Sequence, residues 1–129
     1  MQWSDKGITM ASRPNDYHGG YVMPHLSTWQ AGDFFRFAYR HGMIGFDFDS
    51  LYGHWATKGP MLYMHMRLSE HPDMAIEDIR AEFFAAFGPA AEDVARYFDY
   101  WEDYASARPG SDLYNPVDAY IAYPPAVFP

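Results

Sequence analysis

Apolar and polar positions along this chain fall into short periods, each cut off by glycine or proline. Gly7 to Ser12 (GITMAS) is a compact apolar run that predicts a buried strand. RPNDYHGGYVMPHLS follows as a long loop punctuated by Pro14, Gly19, Gly20 and Pro24. Ser27 or Thr28 is placed to cap a helix running to about His41, with Phe34, Phe37, Ala38 and Trp29 as candidate buried positions and Gly42 as its terminator. Met43 to Ser50 (MIGFDFDS) alternates strictly. Ile44, Phe46 and Phe48 share one face of a predicted second strand, and Gly45, Asp47 and Asp49 share the other.

After the loop LYGHWATKG, Pro60 suits the first turn of a helix reaching about Glu70, and Pro72 ends it. Ile76, Ile79, Phe83 and Phe87 have helical spacing up to Gly88. Pro89 opens a last helix with an aromatic stripe through Tyr97, Phe98, Trp101 and Tyr104, best read as core. The end of the chain, AYPPAVFP, reads as tail. The predicted division is therefore residues 1–70 as two β/α units, 71–108 as a helical hairpin and 109–129 as a Pro-rich tail.

Two parallel strands are too few for a free-standing sheet, because parallel sheets are covered on both faces and usually have more strands. The expected fold class is α/β: the C-terminal part of a (β/α)8 TIM-type barrel, two β/α units followed by a helical appendage. A whole barrel of that kind needs about 250 residues, against 129 here. The missing neighbours are expected to be the remainder of the barrel, or else further copies of the chain by self-association. An autonomous α+β domain dominated by its helices is the alternative.

Composition narrows the partners. A net charge of -8 opposes phosphate backbones and anionic membrane surfaces, so neither nucleic acid nor membrane is expected, whereas a neutral sugar is unaffected. Aromatic residues make up 19% of the chain, enough to supply stacking surfaces. With no cysteine there is no disulfide and no thiolate ligand. The six histidines form no HxH or HxxxH pair, so no metal and no other cofactor is expected, and His65 reads as packed among Met64, Met66 and Leu68. No Gly-rich phosphate loop and no GxSxG elbow is present. GFDFDS imitates the opening of a haloacid-dehalogenase-type phosphatase, but the lysine available downstream, Lys58, lies too close.

In a parallel barrel the functional mouth lies at the C-terminal ends of the strands. That rule selects Arg13, Asn15, Tyr17 and His18 after the first strand, and Asp47, Asp49, His54 and Trp55 at and after the second. Asp47 and Asp49 stand ~6.6 Å apart along one strand face, compatible with the carboxyl spacing of glycosidases. Side chains on one strand do not flank a bond from opposite sides, so Asp49 is the one candidate acid/base or ligand-gripping residue. In the alternative both are structural or ligand-gripping, with Asp47 buried against an arginine such as Arg13 and Asp49 binding a hydroxyl. Trp55 and Tyr17 are candidates to stack on a sugar ring, and Trp55 alternatively packs the top of the last barrel helix.

The segments RPNDYHGGYVMPH, HGMIGFDFDSLYGHWATKGPMLYMHMRL and IRAEFFAAFGPAAEDVARYFDYWE resemble a bacterial family of glycoside-hydrolase-like proteins of unknown function, with a barrel related to α-glucuronidases and hexosaminidases. The resemblance spans roughly Gly7 to Glu102. It implies carbohydrate as substrate class and O-glycosyl hydrolysis as reaction class for an intact protein, with this chain alone inactive. It puts Arg13, Asn15, His18, Asp47, Asp49, His54 and Trp55 near the pocket. A non-catalytic carbohydrate-binding or interaction module built from the same loops is the rival expectation.

Overall fold

The structure is a computed structural model that describes residues 4–14, 17, 28–48 and 55–107. After a short 3-10 turn at Ser4–Lys6, the chain runs β1 (Met10–Ser12), α1 (Thr28–Arg40), β2 (Met43–Phe46), α2 (Trp55–Glu70), α3 (Ile76–Ala85) and α4 (Ala91–Ser106). Strands β1 and β2 pair in parallel, with Met10 against Met43, Ala11 against Gly45 and Ser12 against Phe46, and an irregularity between Met10 and Ala11.

The breaks fall where backbone chemistry requires them. Gly42 ends α1 at φ 86°, a left-handed conformation that a side chain resists. The His41 ring folds back on the same turn, its Nδ1 donating to the Phe37 carbonyl at 2.7 Å. Helix α2 starts five residues before Pro60, so the proline lies inside the helix. Lacking an N–H, Pro60 forfeits one helical hydrogen bond. Burial of Lys58, Gly59, Pro60 and Met61 in succession compensates, because this end of α2 is enclosed by its neighbours.

Helix α2 is the centre of the packing, with α1 on one side and α3 on another, and α3 in turn carries α4. Two apolar clusters meet along it. Phe35, Met43, Met64, Leu68, Ile76 and Ile79 fill the first. Met61, Phe83, Phe84, Phe98, Trp101 and Ala105 fill the second, together with Ala31 and Tyr17. Each cluster draws residues from both sides of position 70. The aromatic stripe of α4 is only partly interior: Phe98 and Trp101 are buried, while Tyr97 is 45% exposed.

The expected C-terminal piece of a TIM-type barrel is not what forms. Of the described residues 71% are helical, and the two strands span only three and four residues. Gly7 turns left-handed at φ 70° and Ile8 is 45% exposed, so only the end of GITMAS pairs. In MIGFDFDS the ladder stops once the Asp47 N–H has donated to the Ser12 carbonyl at 2.9 Å. A barrel strand is buried on both faces, yet Ile44 is 75% exposed. The strict alternation fails at its start, since Met43 is buried while Ile44 is not. The two apolar clusters are built mainly from helix residues, and the sheet is a minor ladder beside them.

Candidate functional site

Among the described residues, chemistry-bearing side chains gather in several groups, three of which include positions selected from sequence. The first is at the C-terminal ends of the strands, where the Arg13 Nε donates to the Asp47 Oδ2 at 2.9 Å. The expected partnership exists but in solvent, the two side chains being 60% and 71% exposed. Screened by water, such a pair is worth well under ~1 kcal/mol. Asp47 is therefore an open carboxylate rather than a buried structural one.

The second group is buried. Tyr17, expected to stack on a ligand, is only 4% exposed and packs edge-on against Phe48, so its ring face is closed to solvent. An amphipathic phenol that finds a partner for its hydroxyl is as content inside as at a binding face. Its hydroxyl lies 2.6 Å from His65 Nδ1. His65 is 2% exposed. Burial lowers its pKa to about 4, against which a hydrogen bond to the Ala31 backbone pulls upward. The ring is thus neutral at pH 7, and its Nδ1 shares a hydrogen bond with the Tyr17 hydroxyl.

Lys58, 3% exposed, donates from Nζ to the Tyr17 carbonyl at 2.5 Å, and desolvation lowers its pKa to about 8. A hydrogen-bonding carbonyl offsets part of the cost of burying the ammonium. Tyr17 is therefore clamped at both ends by α2, through its carbonyl and through its hydroxyl.

The third group lines a shallow cleft of about 180 Å3 between α2 and α3, walled by Trp55, Tyr63, Glu82, Phe83, Ala86 and Phe87. Trp55, the first residue of α2, is 48% exposed, with its ring centroid 5.9 Å from that of Phe83. Gly59 makes this closeness possible: a Cβ there would sit 3.1 Å from the Phe83 Cζ and 3.6 Å from the Trp55 ring. Glu82 accepts from the Tyr63 hydroxyl at 2.8 Å and from Arg67 Nε at 3.1 Å. The Tyr63 bond is the main reason its pKa lies below the ordinary value, assisted by Arg67. The same bond raises the Tyr63 pKa. The cleft thus offers a fixed carboxylate acceptor beside a protonated phenol and an indole.

Of the residues selected from sequence, Arg13 and Asp47 are together, Tyr17 is inside, and Trp55 is at the cleft. Asn15, His18, Asp49 and His54 lie outside the described residues. Sequence reasoning missed Tyr63, Glu82 and Phe87 as site residues. The available signal was their helical spacing, which puts them on facing sides of neighbouring helices only once the turn at His71–Ala75 is known. Among the described residues no group of three His, Asp or Glu is placed to hold a metal ion, and no helix is long and apolar enough to cross a membrane. No protein-family model matches the chain, and neither a curated protein nor a solved structure is significantly similar to it.

Proposed function

We propose that this chain binds carbohydrate, as a non-catalytic module whose α2–α3 cleft takes a neutral sugar. The observation that carries this reading is the half-exposed Trp55 indole standing at a cleft with a fixed carboxylate. An aromatic face takes the C–H side of a pyranose, and a carboxylate accepts from its hydroxyls. Glu82 suits accepting a ligand hydroxyl rather than donating a proton as a general acid, because its bonds to Tyr63 and Arg67 hold its pKa below the ordinary value. The overall negative charge favours a neutral ligand over an anionic one.

Calorimetric titration of the chain with neutral oligosaccharides, alongside intrinsic tryptophan fluorescence, tests the reading. Saturable binding is expected. Trp55→Ala is expected to weaken it by about tenfold, equivalent to ~1.4 kcal/mol of lost stacking. Because Trp55 is half-exposed, the melting temperature of this variant should fall far less than after a core truncation. Glu82→Gln should weaken binding with only a small fall in the melt, because its bonds to Tyr63 and Arg67 lie at the surface. Undiminished affinity in Trp55→Ala, or no binding by the parent chain across the panel, would overturn the proposal.

A further inference from the structure

Donors and acceptors are unevenly divided along the wall of the α2–α3 cleft. Tyr63 and Glu82 both line it, and the Tyr63 hydroxyl donates to the Glu82 Oε1 at 2.8 Å. That bond is charge-assisted, about twice as strong as one between neutral groups, so it holds the phenol proton on Glu82. It also raises the Tyr63 pKa, which keeps the phenol protonated. The Tyr63 oxygen retains its lone pairs, and donation to a carboxylate polarises it into a better acceptor. Glu82 has acceptor capacity left as well. An ionised carboxylate has about four lone-pair positions, and Tyr63 and the Arg67 Nε occupy one each. Arg67 directs its other nitrogens to Glu70 at 2.9 Å and to the Met74 sulfur at 3.9 Å. Among the described side chains that line the cleft, the Trp55 indole N–H is then the one donor still free. Hydrogens at the Tyr63–Glu82 wall have to come from the ligand.

We propose that Tyr63 and Glu82 together read a vicinal diol, one ring hydroxyl donating to the Tyr63 oxygen and its neighbour donating to Glu82. This role rests on the sugar reading of the cleft and names the part of the sugar that is recognised. The two acceptor oxygens stand 2.8 Å apart, a spacing similar to that of adjacent equatorial hydroxyls on a pyranose. Two donors thus meet two acceptors without rearrangement of the wall. A methyl ether at either position brings no hydrogen and puts bulk against the lone pairs, so it is refused. A carbonyl or carboxylate at the same place would set acceptor against acceptor. Tyr63 becomes a specificity-determining residue through its oxygen and not through its ring.

Calorimetry with cellobiose, maltose and lactose, followed by the mono-O-methyl ethers of whichever of them binds, tests this role. Methylation at two adjacent hydroxyls is expected to weaken binding by the parent chain about tenfold at each, and at other positions to change it little. Tyr63→Phe keeps the ring, so one of those two positions should become insensitive to methylation while the other stays sensitive. If Tyr63 only props Glu82, the variant should bind sugar and ethers more weakly by one common factor, with the pattern of sensitive positions unchanged. If Tyr63→Phe does not fold, the ether series on the parent chain decides alone. Sugar binding without a pair of adjacent sensitive hydroxyls, or with both still sensitive in Tyr63→Phe, would overturn the diol reading and leave the sugar reading standing. No binding by any of the three disaccharides would remove the sugar reading, and this role with it.

Discussion

Replacing Phe83 with alanine is expected to lower the stability of the chain by about 3–5 kcal/mol. Phe83 is 5% exposed, and its ring is the hub of the second cluster. Its centroid lies 5.5 Å from Tyr63, 5.2 Å from Phe84, 5.4 Å from Phe87 and 6.2 Å from Phe98. Truncation removes the buried area of the ring and leaves a hole among rigid rings that cannot collapse into it, so the upper part of that range is expected. Set against the ~5–15 kcal/mol typical of a whole domain, this is a third or more of the total. Denaturant melts followed by far-UV circular dichroism check it: the midpoint should fall while the slope stays constant. A midpoint within the error of the parent would remove Phe83 from the centre of the packing. Because the ring also backs Trp55, any variant that still folds should bind sugar more weakly than the parent.

The second large effect is acid sensitivity routed through His65. Its pKa is lowered from 6.5 to about 4 in the folded chain, chiefly by burial. Between those values the unfolded chain holds a proton that the folded chain refuses, so stability rises with pH across the window and is lost as pH falls from 6.5 towards 4. The full effect is ~3 kcal/mol, at a slope approaching about 1.4 kcal/mol per pH unit. Glu102 works in the opposite direction. Its pKa is raised, first by burial, although the Trp29 N–H, the Thr28 hydroxyl and the nearby Arg80 oppose the shift. The folded chain therefore takes up that proton sooner than the unfolded chain does. The His65 contribution is isolated by comparing the parent with His65→Asn over the same window. The variant should start less stable at pH 7, for want of the Tyr17 bond, and lose less on acidification. Parallel pH profiles would show that His65 does not set the acid limit.

Local order is legible wherever one residue type forces one conformation. Gly42 and Pro72 bound helices because a left-handed turn and a missing N–H admit few alternatives. Ile76, Ile79 and Phe83 announce α3 by spacing alone. The start of α2 escapes such reasoning because Pro60 is a good first-turn residue, whereas here the proline is carried inside a helix whose other contacts outweigh the lost bond. The barrel follows from element order, strand–helix–strand–helix with parallel pairing, which the chain does possess. Order does not say how many residues of a run pair, and in GITMAS and MIGFDFDS only three and four do. Side-chain type is likewise ambiguous at Tyr17, a residue equally suited to a sugar face and to a buried hydroxyl bond. Its fate is decided by His65 and Lys58, far along the chain, and no local pattern encodes that meeting. The cleft is invisible for a similar reason: it belongs to the packing of α2 on α3, which brings Glu82 to Tyr63.

The clamp that Lys58 places on Tyr17 has a kinetic corollary. Lys6 and Lys58 are the lysines of this chain, one exposed and one 3% exposed. With a pKa of about 8 the Lys58 amine is substantially unprotonated in mildly alkaline solution, yet the fold keeps it from any acylating reagent. Its modification has to wait for α2 to release the Tyr17 carbonyl. The delay between labelling of the two amines is then a clock for the opening of that end of the molecule, wound by the native sequence and readable by mass spectrometry with no probe introduced.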